Sequence, residues 1–213
     1  MATVVRVLYL GDSARNTVAI YEELVDAGFE VTDATPFYAW DGVAPDVNDF
    51  DVVVYLQGED YEDTNLLPAA DAALTAWMLA GGTVIRSEWI AYEIGPFLVD
   101  ETDFDQYLPV EAPDSQDYFY NTTWTLDIED SPLVAGVPAT WDSAGGGCTF
   151  VNAVDDAVVV ATSDECGAAL TYKEHGANGG RVIHINDDFS NDEDVAADPN
   201  TMAILINAVS GAP

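Results

Sequence analysis

Gly81-Gly82-Thr83-Val84-Ile85-Arg86-Ser87-Glu88-Trp89 is the stretch on which the reading of the fold turns. Before it, Pro68 to about Ala80 has helical spacing, with Leu74, Trp77 and Met78 on one side, and the glycine pair stops that helix. Thr83 to Arg86 reads as a short strand after it. A short helix-like stretch follows, to about Glu93. Upstream, Val4 to Leu10 is a continuous β-branched, apolar run, the pattern of a strand covered on both faces, while Asp51 to Leu56 reads as another strand and Glu30 to Thr35 as a shorter one. Thr17 to Ala27 places Val18, Tyr21, Leu24 and Val25 along one helix side and ends at Gly28. Strand, helix, strand, strand, helix, strand with short connections predicts a parallel, doubly wound α/β sheet.

Downstream the pattern changes. Pro96 to Asn121 is rich in aromatics and acids and has no clear period, so it reads as an irregular insertion at about 96–121. Thr122 to Ile128 alternates, as an antiparallel or edge strand does. Ala157 to Thr162, Ala168 to Glu174 and Arg181 to Ile185 are further strands, separated by turn residues. Pro199 opens a last helix through Val209. The sum is a flavodoxin-like three-layer α/β sandwich, its parallel sheet extended by antiparallel strands near the C-terminus. With no internal repeat or linker, residues 1–213 are expected to form one domain.

The charge is lopsided: 39 Asp and Glu against 5 Lys and Arg, a net charge of −34, with 49% of residues hydrophobic. That composition describes a folded core in an anionic shell and not a disordered acidic tail. Such a shell repels nucleic acid and anionic membranes. No apolar run reaches the roughly 18 residues of a membrane span, so no membrane insertion is expected. Counter-ions screen the self-repulsion, which points to an extracellular or cell-surface setting or a halophile's cytoplasm, with Ca²⁺ as the candidate cofactor. The opening residues read as a first strand and not as a signal peptide. Cys148 and Cys166 leave two readings open, a disulfide or two buried thiols.

The order of these pieces resembles the class I glutamine amidotransferase-like superfold, and within it the ThuA-like (trehalose-utilisation-type) branch. The likeness rests on the opening strand with Gly11-Asp12, the Asp51–Tyr55 strand and the Gly81–Ile85 passage. It rests most on Asp130-Ser131-Pro132-Leu133-Val134-Ala135-Gly136-Val137-Pro138 and on Gly180-Arg181-Val182-Ile183-His184-Ile185-Asn186-Asp187-Asp188-Phe189. Active members of the superfold carry a nucleophilic Cys on the sharp turn after the strand equivalent to Thr83–Arg86. Here that turn is Ser87-Glu88-Trp89. Amidotransferases also carry His-Pro-Glu after the strand equivalent to Arg181–Ile185, where this chain has Asn186-Asp187-Asp188. His184 lies earlier, inside the strand. The resemblance therefore implies the fold without the thiol–imidazole pair of a glutaminase.

Ligands of open α/β sheets sit outside the carboxyl ends of the strands. That edge would gather Asp12, Ser13, Arg15, Gln57, Glu59 and Glu88 as ligand-binding residues, with Asp60, Ser87, Asp187 and Asp188 beside them. If the protein is an enzyme, Ser87, Glu88, Asp187 and Asp188 are the catalytic candidates. Carboxylates that converge without lysine raise one another's pKa unless a cation joins them. Asp187, Asp188, Asp192 and Asp194 are the candidate calcium ligands, since hard cations take oxygen donors, although the segment lacks the spacing of an EF-hand. The ordinary alternative is a solvated acidic rim. Trp40, Tyr107, Tyr118, Phe119, Tyr120 and Trp124 either line a sugar-binding cleft or pack the insertion onto the sheet.

These readings predict a catalytically silent, amidotransferase-like binding or structural module. Its partners would be a small polar ligand, a glycan or neighbouring domains of a larger protein. Two other functions stay open: a carboxylate- or metal-dependent hydrolase acting on carbohydrate, and a surface or filament subunit whose acidic faces are bridged by calcium.

Overall fold

A computed structural model describes residues 4–12, 18–57, 65–89, 102–113, 118–143, 146–189 and 198–211. The first strands are β1 (Arg6–Leu10), β2 (Glu30–Asp33), β3 (Val52–Tyr55), β4 (Thr83–Arg86), β5 (Val110–Glu111), β6 (Tyr118–Tyr120) and β7 (Thr123–Leu126). Then come β8 (Thr140–Asp142), β9 (Gly147–Thr149), β10 (Asn152–Ala153), β11 (Val158–Ser163), β12 (Gly167–His175) and β13 (Gly180–Ile185). Helices α1 (Val18–Asp26), α2 (Pro68–Leu79) and α3 (Pro199–Ser210) complete the frame.

Nine strands form one sheet in the order β2-β1-β3-β4-β13-β12-β11-β7-β8. The run from β2 to β13 is parallel, and each later pair is antiparallel. Because the central strands are buried on both faces, their alternate residues feed two cores. Val7, Val52, Val54, Ile85, Ile183 and Ile185 pack with Ile20 and Leu24 of α1 and with Ile204, Leu205 and Ala208 of α3. Leu8, Leu10, Val53, Val84 and Val182 pack with Leu74, Trp77 and Met78 of α2. The architecture is the three-layer α/β sandwich that the strand–helix order predicts.

Local chemistry sets the helix ends. Asp198 caps α3, its Oδ1 accepting from the backbone N–H of Asn200 at 2.8 Å, and Pro199 occupies the first helical position. Gly180 opens β13 where the chain passes the end of α2. A side chain there would overlap the Met78 carbonyl.

Several sequence expectations are corrected. The buried side of α1 carries Ile20 and Leu24, an i, i+4 pair, while Val25 is 42% exposed. The 96–121 stretch is not without structure: it holds a 3₁₀ turn at Asp105–Tyr107, β5, and β6 paired with β9. Strands β8, β9 and β10 went unread because each is only two or three residues long. The expected helix after Trp89 begins at Glu88 and Trp89, and residues 90–93 lie outside the described ones. A disulfide joins Cys148 of β9 to Cys166 in the β11–β12 turn, so the short strand is covalently tied to the main sheet.

The aromatics do not form one cleft. Trp124 stacks on Trp141 in the α1/α3 core, with ring centroids 5.4 Å apart. Trp40 lies in the α2 core with its indole N–H on the Pro45 carbonyl at 3.0 Å. Tyr107 packs on Phe104 and His175. Tyr118, Phe119 and Tyr120 remain together on β6.

Candidate functional site

The turns after β1, β3, β4 and β13 place Asp12, Gln57, Ser87, Glu88, Asp187 and Asp188 at the carboxyl edge of the parallel sheet. All six are buried. This corrects the expectation of a solvated rim for these residues. Ser13, Arg15, Glu59, Asp60, Asp192 and Asp194 lie outside the described residues.

Glu88 is 0% exposed. Its backbone N–H donates to the Asp187 carbonyl at 3.3 Å, and its Oε1 accepts from the Thr149 hydroxyl. Glu88 Oε2 has no hydrogen-bond partner among the described residues. Burial pushes the Glu88 carboxyl well above the usual carboxylate range, against the pull of the Thr149 hydrogen bond, and the charges of Asp188 and Asp187 add to the rise.

Asp187 is held on three sides. Its Oδ2 accepts from the Ser143 hydroxyl at 3.0 Å and from the Thr201 hydroxyl at 2.8 Å. Its Oδ1 accepts the Asp188 backbone N–H at 3.1 Å. Burial raises its carboxyl to about 7, and those two hydroxyls offset only part of the shift. Asp188 takes the Trp89 indole N–H on Oδ1 and the Tyr118 hydroxyl on Oδ2, the latter at 2.7 Å. Trp89 and Tyr118 also pack ring on ring at 6.0 Å. Burial, with Asp188 beside it, raises the Tyr118 hydroxyl's pKa, so it stays a donor.

Ser87 is turned inward, its hydroxyl donating to the Gln57 carbonyl at 3.4 Å. Gln57 in turn receives Arg86 Nη2 on its side-chain oxygen at 2.6 Å. His184 is fully buried inside β13. Burial and the neighbouring Arg86 lower its pKa to about 3, leaving the imidazole neutral and a weak base.

Among the described residues no group of three His, Cys, Asp or Glu stands where it could hold a metal ion. Calcium at Asp187 and Asp188 would have to displace the Ser143, Thr201, Trp89 and Tyr118 donors, so these two residues fit such a site poorly. The like charges are relieved by protonation and by neutral donors instead.

The structure thus brings together Glu88, Asp187 and Asp188, as the sequence predicts, and adds partners the sequence reading missed. Thr149, Ser143 and Tyr118 come from β9, the end of β8 and β6, and Thr201 from the first turn of α3. One signal for Thr149 lay in the sequence: it follows Cys148, whose disulfide fixes β9 against the sheet.

No protein-family model matches the chain, and no curated protein matches it. Solved structures do. A cytoplasmic protein from Salmonella typhimurium superposes with a TM-score of 0.72 at 16% identity, covering 96% of this chain and 97% of that one. A ThuA-like protein from Parabacteroides merdae gives 0.66 at 11% identity, over 99% of this chain and 90% of that one. A GMP synthase subunit from Thermoplasma acidophilum gives 0.64 at 11% identity, over 99% and 94%. At such identities the likeness is one of fold. The fold is that of ThuA-like and glutamine amidotransferase-like proteins.

Proposed function

We propose that this domain is a non-catalytic, ThuA-like binding or structural module of an extracellular or high-salt setting, helped by dissolved cations, divalent ones included. The observation that carries the reading is the state of the turn after β4. A nucleophile elbow works by exposing its nucleophile at the top of the sheet. Here Ser87 and Glu88 are sealed inside, one on the Gln57 carbonyl and the other on Thr149. His184, on the strand beside β4, is neutral and too weakly basic to activate a hydroxyl. The charge of −34 supports the setting, since salt screens an anionic surface. A small polar ligand, a glycan or a neighbouring domain is the partner we assign.

One observation favours a second reading, a carboxylate-dependent hydrolase of carbohydrate-type substrates. Burial raises the Glu88 carboxyl well above the usual carboxylate range and that of Asp187 to about 7, as in general acids. Incubation with glutamine, nitrophenyl esters and acetylated oligosaccharides separates the two. No turnover is expected. Turnover that disappears in Glu88→Gln would replace the module by the hydrolase.

A further inference from the structure

Four side chains lie in a row across the sheet near the carboxyl ends of its parallel strands. The register pairs Tyr55 with Arg86, Arg86 with His184, and His184 with Thr171. Paired positions share a face of the sheet. Val84 and Val182, two residues before Arg86 and His184, belong to the α2 core, so the row lies on the α2 side. Arg86 is 1% exposed, and His184 and Thr171 are both at 0%.

The Arg86 guanidinium stacks on the Tyr55 ring, 3.5 Å from its centroid, and gives Nη2 to Gln57. Its Nε and Nη1 and the Thr171 hydroxyl have no hydrogen-bond partner among the described residues, while the His184 ring lies against the Asn186 side chain, whose oxygen draws on its N–H. On the turn after β4, Glu88 Oε2 is buried and unpartnered as well. Protein interiors rarely leave such atoms unpaired, and here they are neighbours. Arg86 also forms no ion pair among the described residues. Its field reaches Asp105, whose carboxyl it draws down while burial holds it above the usual range. A guanidinium is charged at every accessible pH and is costly to bury without a counter-charge. The row therefore offers one fixed positive charge, unused guanidinium N–H groups and a hydroxyl, on either side of a neutral imidazole. That donor set matches the oxygens of an anion.

We propose that Arg86 and Thr171, on either side of His184, form a buried receptor for a small oxyanion, a carboxylate or a phosphate group. Arg86 supplies the charge, and the Thr171 hydroxyl supplies a flanking hydrogen bond. The inference rests on the reading of the domain as a binding module and names the ligand class of that module.

The test is a thermal-midpoint titration with acetate and with inorganic phosphate, at an ionic strength held constant with KCl. The protein, Thr171→Val and Arg86→Met are compared. A saturable rise with one of the two anions is expected, and the anion that saturates identifies the group. Thr171→Val removes one donor and should weaken the apparent affinity about fivefold. Its ligand-free midpoint should match or exceed that of the parent, because a buried unpaired hydroxyl is gone. Arg86→Met should abolish saturation. If that variant does not fold, Thr171→Val alone decides. A non-saturating rise, unchanged in Thr171→Val, is general salting-out and would mean that water fills the row. That result overturns the proposal. Turnover lost in Glu88→Gln would sink the module reading and leave saturable anion binding intact, so the two failures are distinct.

Discussion

Trp89 and Asp188, on the turns after β4 and β13, are joined by an indole N–H donated to a carboxylate oxygen across 99 residues of sequence. The Tyr118 hydroxyl takes the other oxygen at 2.7 Å, and the Asp188 backbone N–H donates to Gly147 at 2.8 Å. The two turns are thus fixed to each other and to the small β6–β9 sheet. An edge that is open to ligands in other α/β proteins is closed here by its own side chains, and its acids behave as buried groups.

The first consequence is a pH dependence of stability. Folded Asp187 keeps its proton up to about pH 7, whereas the unfolded side chain releases it near pH 3.9. Between those values the folded state binds more protons, so stability falls as pH rises and the contribution is lost above about 7. Thermal midpoints should climb steadily as the pH is lowered from 8 to 5. Asp187→Asn should lose the Asp187 share of the slope and keep the parts due to Glu88 and to the overall charge. Parallel curves for the two proteins would show that Asp187 does not titrate in this window.

Glu88→Gln should raise the midpoint at pH 8 and change it little at pH 5. The glutamine oxygen can still accept from Thr149, while a carboxylate that burial disfavours is gone. A drop at pH 8 would mean that the charged form is stabilised by a partner outside this cluster.

Gly146→Ala probes the same cluster sterically. An added Cβ would stand 2.5 Å from the Asp188 carbonyl oxygen and 2.9 Å from Asp187 Oδ1. Backbone must shift to admit it, at a cost of about 1–3 kcal/mol. Chemical denaturation reads the loss directly. A change within experimental error would show that the loop at Gly146 yields freely.

Strands with continuous apolar runs were legible in the sequence because burial on both faces writes itself into every residue. β1, β3, β4 and β13 fall where the composition places them. Glu88, Asp187 and Asp188 were legible too, because they follow those strands. Their burial was not. It depends on Thr149, Ser143 and Tyr118, carried by short strands whose two or three residues hold too little pattern to read. The face of α1 was misjudged for a related reason: Ile20, Tyr21, Leu24 and Val25 spread round the helix, and only the sheet selects Ile20 and Leu24. Arg86 looked like the polar end of an apolar strand, and only the register shows it beside His184.

The Cys148–Cys166 disulfide spans 18 residues and should contribute on the order of 3 kcal/mol by limiting the unfolded chain. It also holds β9, and with it Thr149, against Glu88. Asn186 supports both ends, giving its side-chain N–H to the Thr149 carbonyl at 2.8 Å and to the Cys166 carbonyl at 3.3 Å. Reduction should lower the urea midpoint of the parent and leave a Cys148→Ser, Cys166→Ser double variant unchanged at that lower value. A parent insensitive to reductant would place the tether elsewhere.

Salt response tests the proposed setting. With 39 acidic against 5 basic residues, most of the surface field is self-repulsion. The Debye length falls from about 10 Å at 0.1 M to about 3 Å at 1 M, so the midpoint should rise over that range of KCl and then level off. CaCl2 at matched ionic strength should add a saturable increment, because a cation that binds only the folded state stabilises it by mass action. Asp187→Asn should leave that increment intact, since the oxygens of Asp187 already accept from Ser143 and Thr201. An increment lost in that variant would put calcium inside the cluster. Superimposed KCl and CaCl2 curves would confine the role of cations to screening.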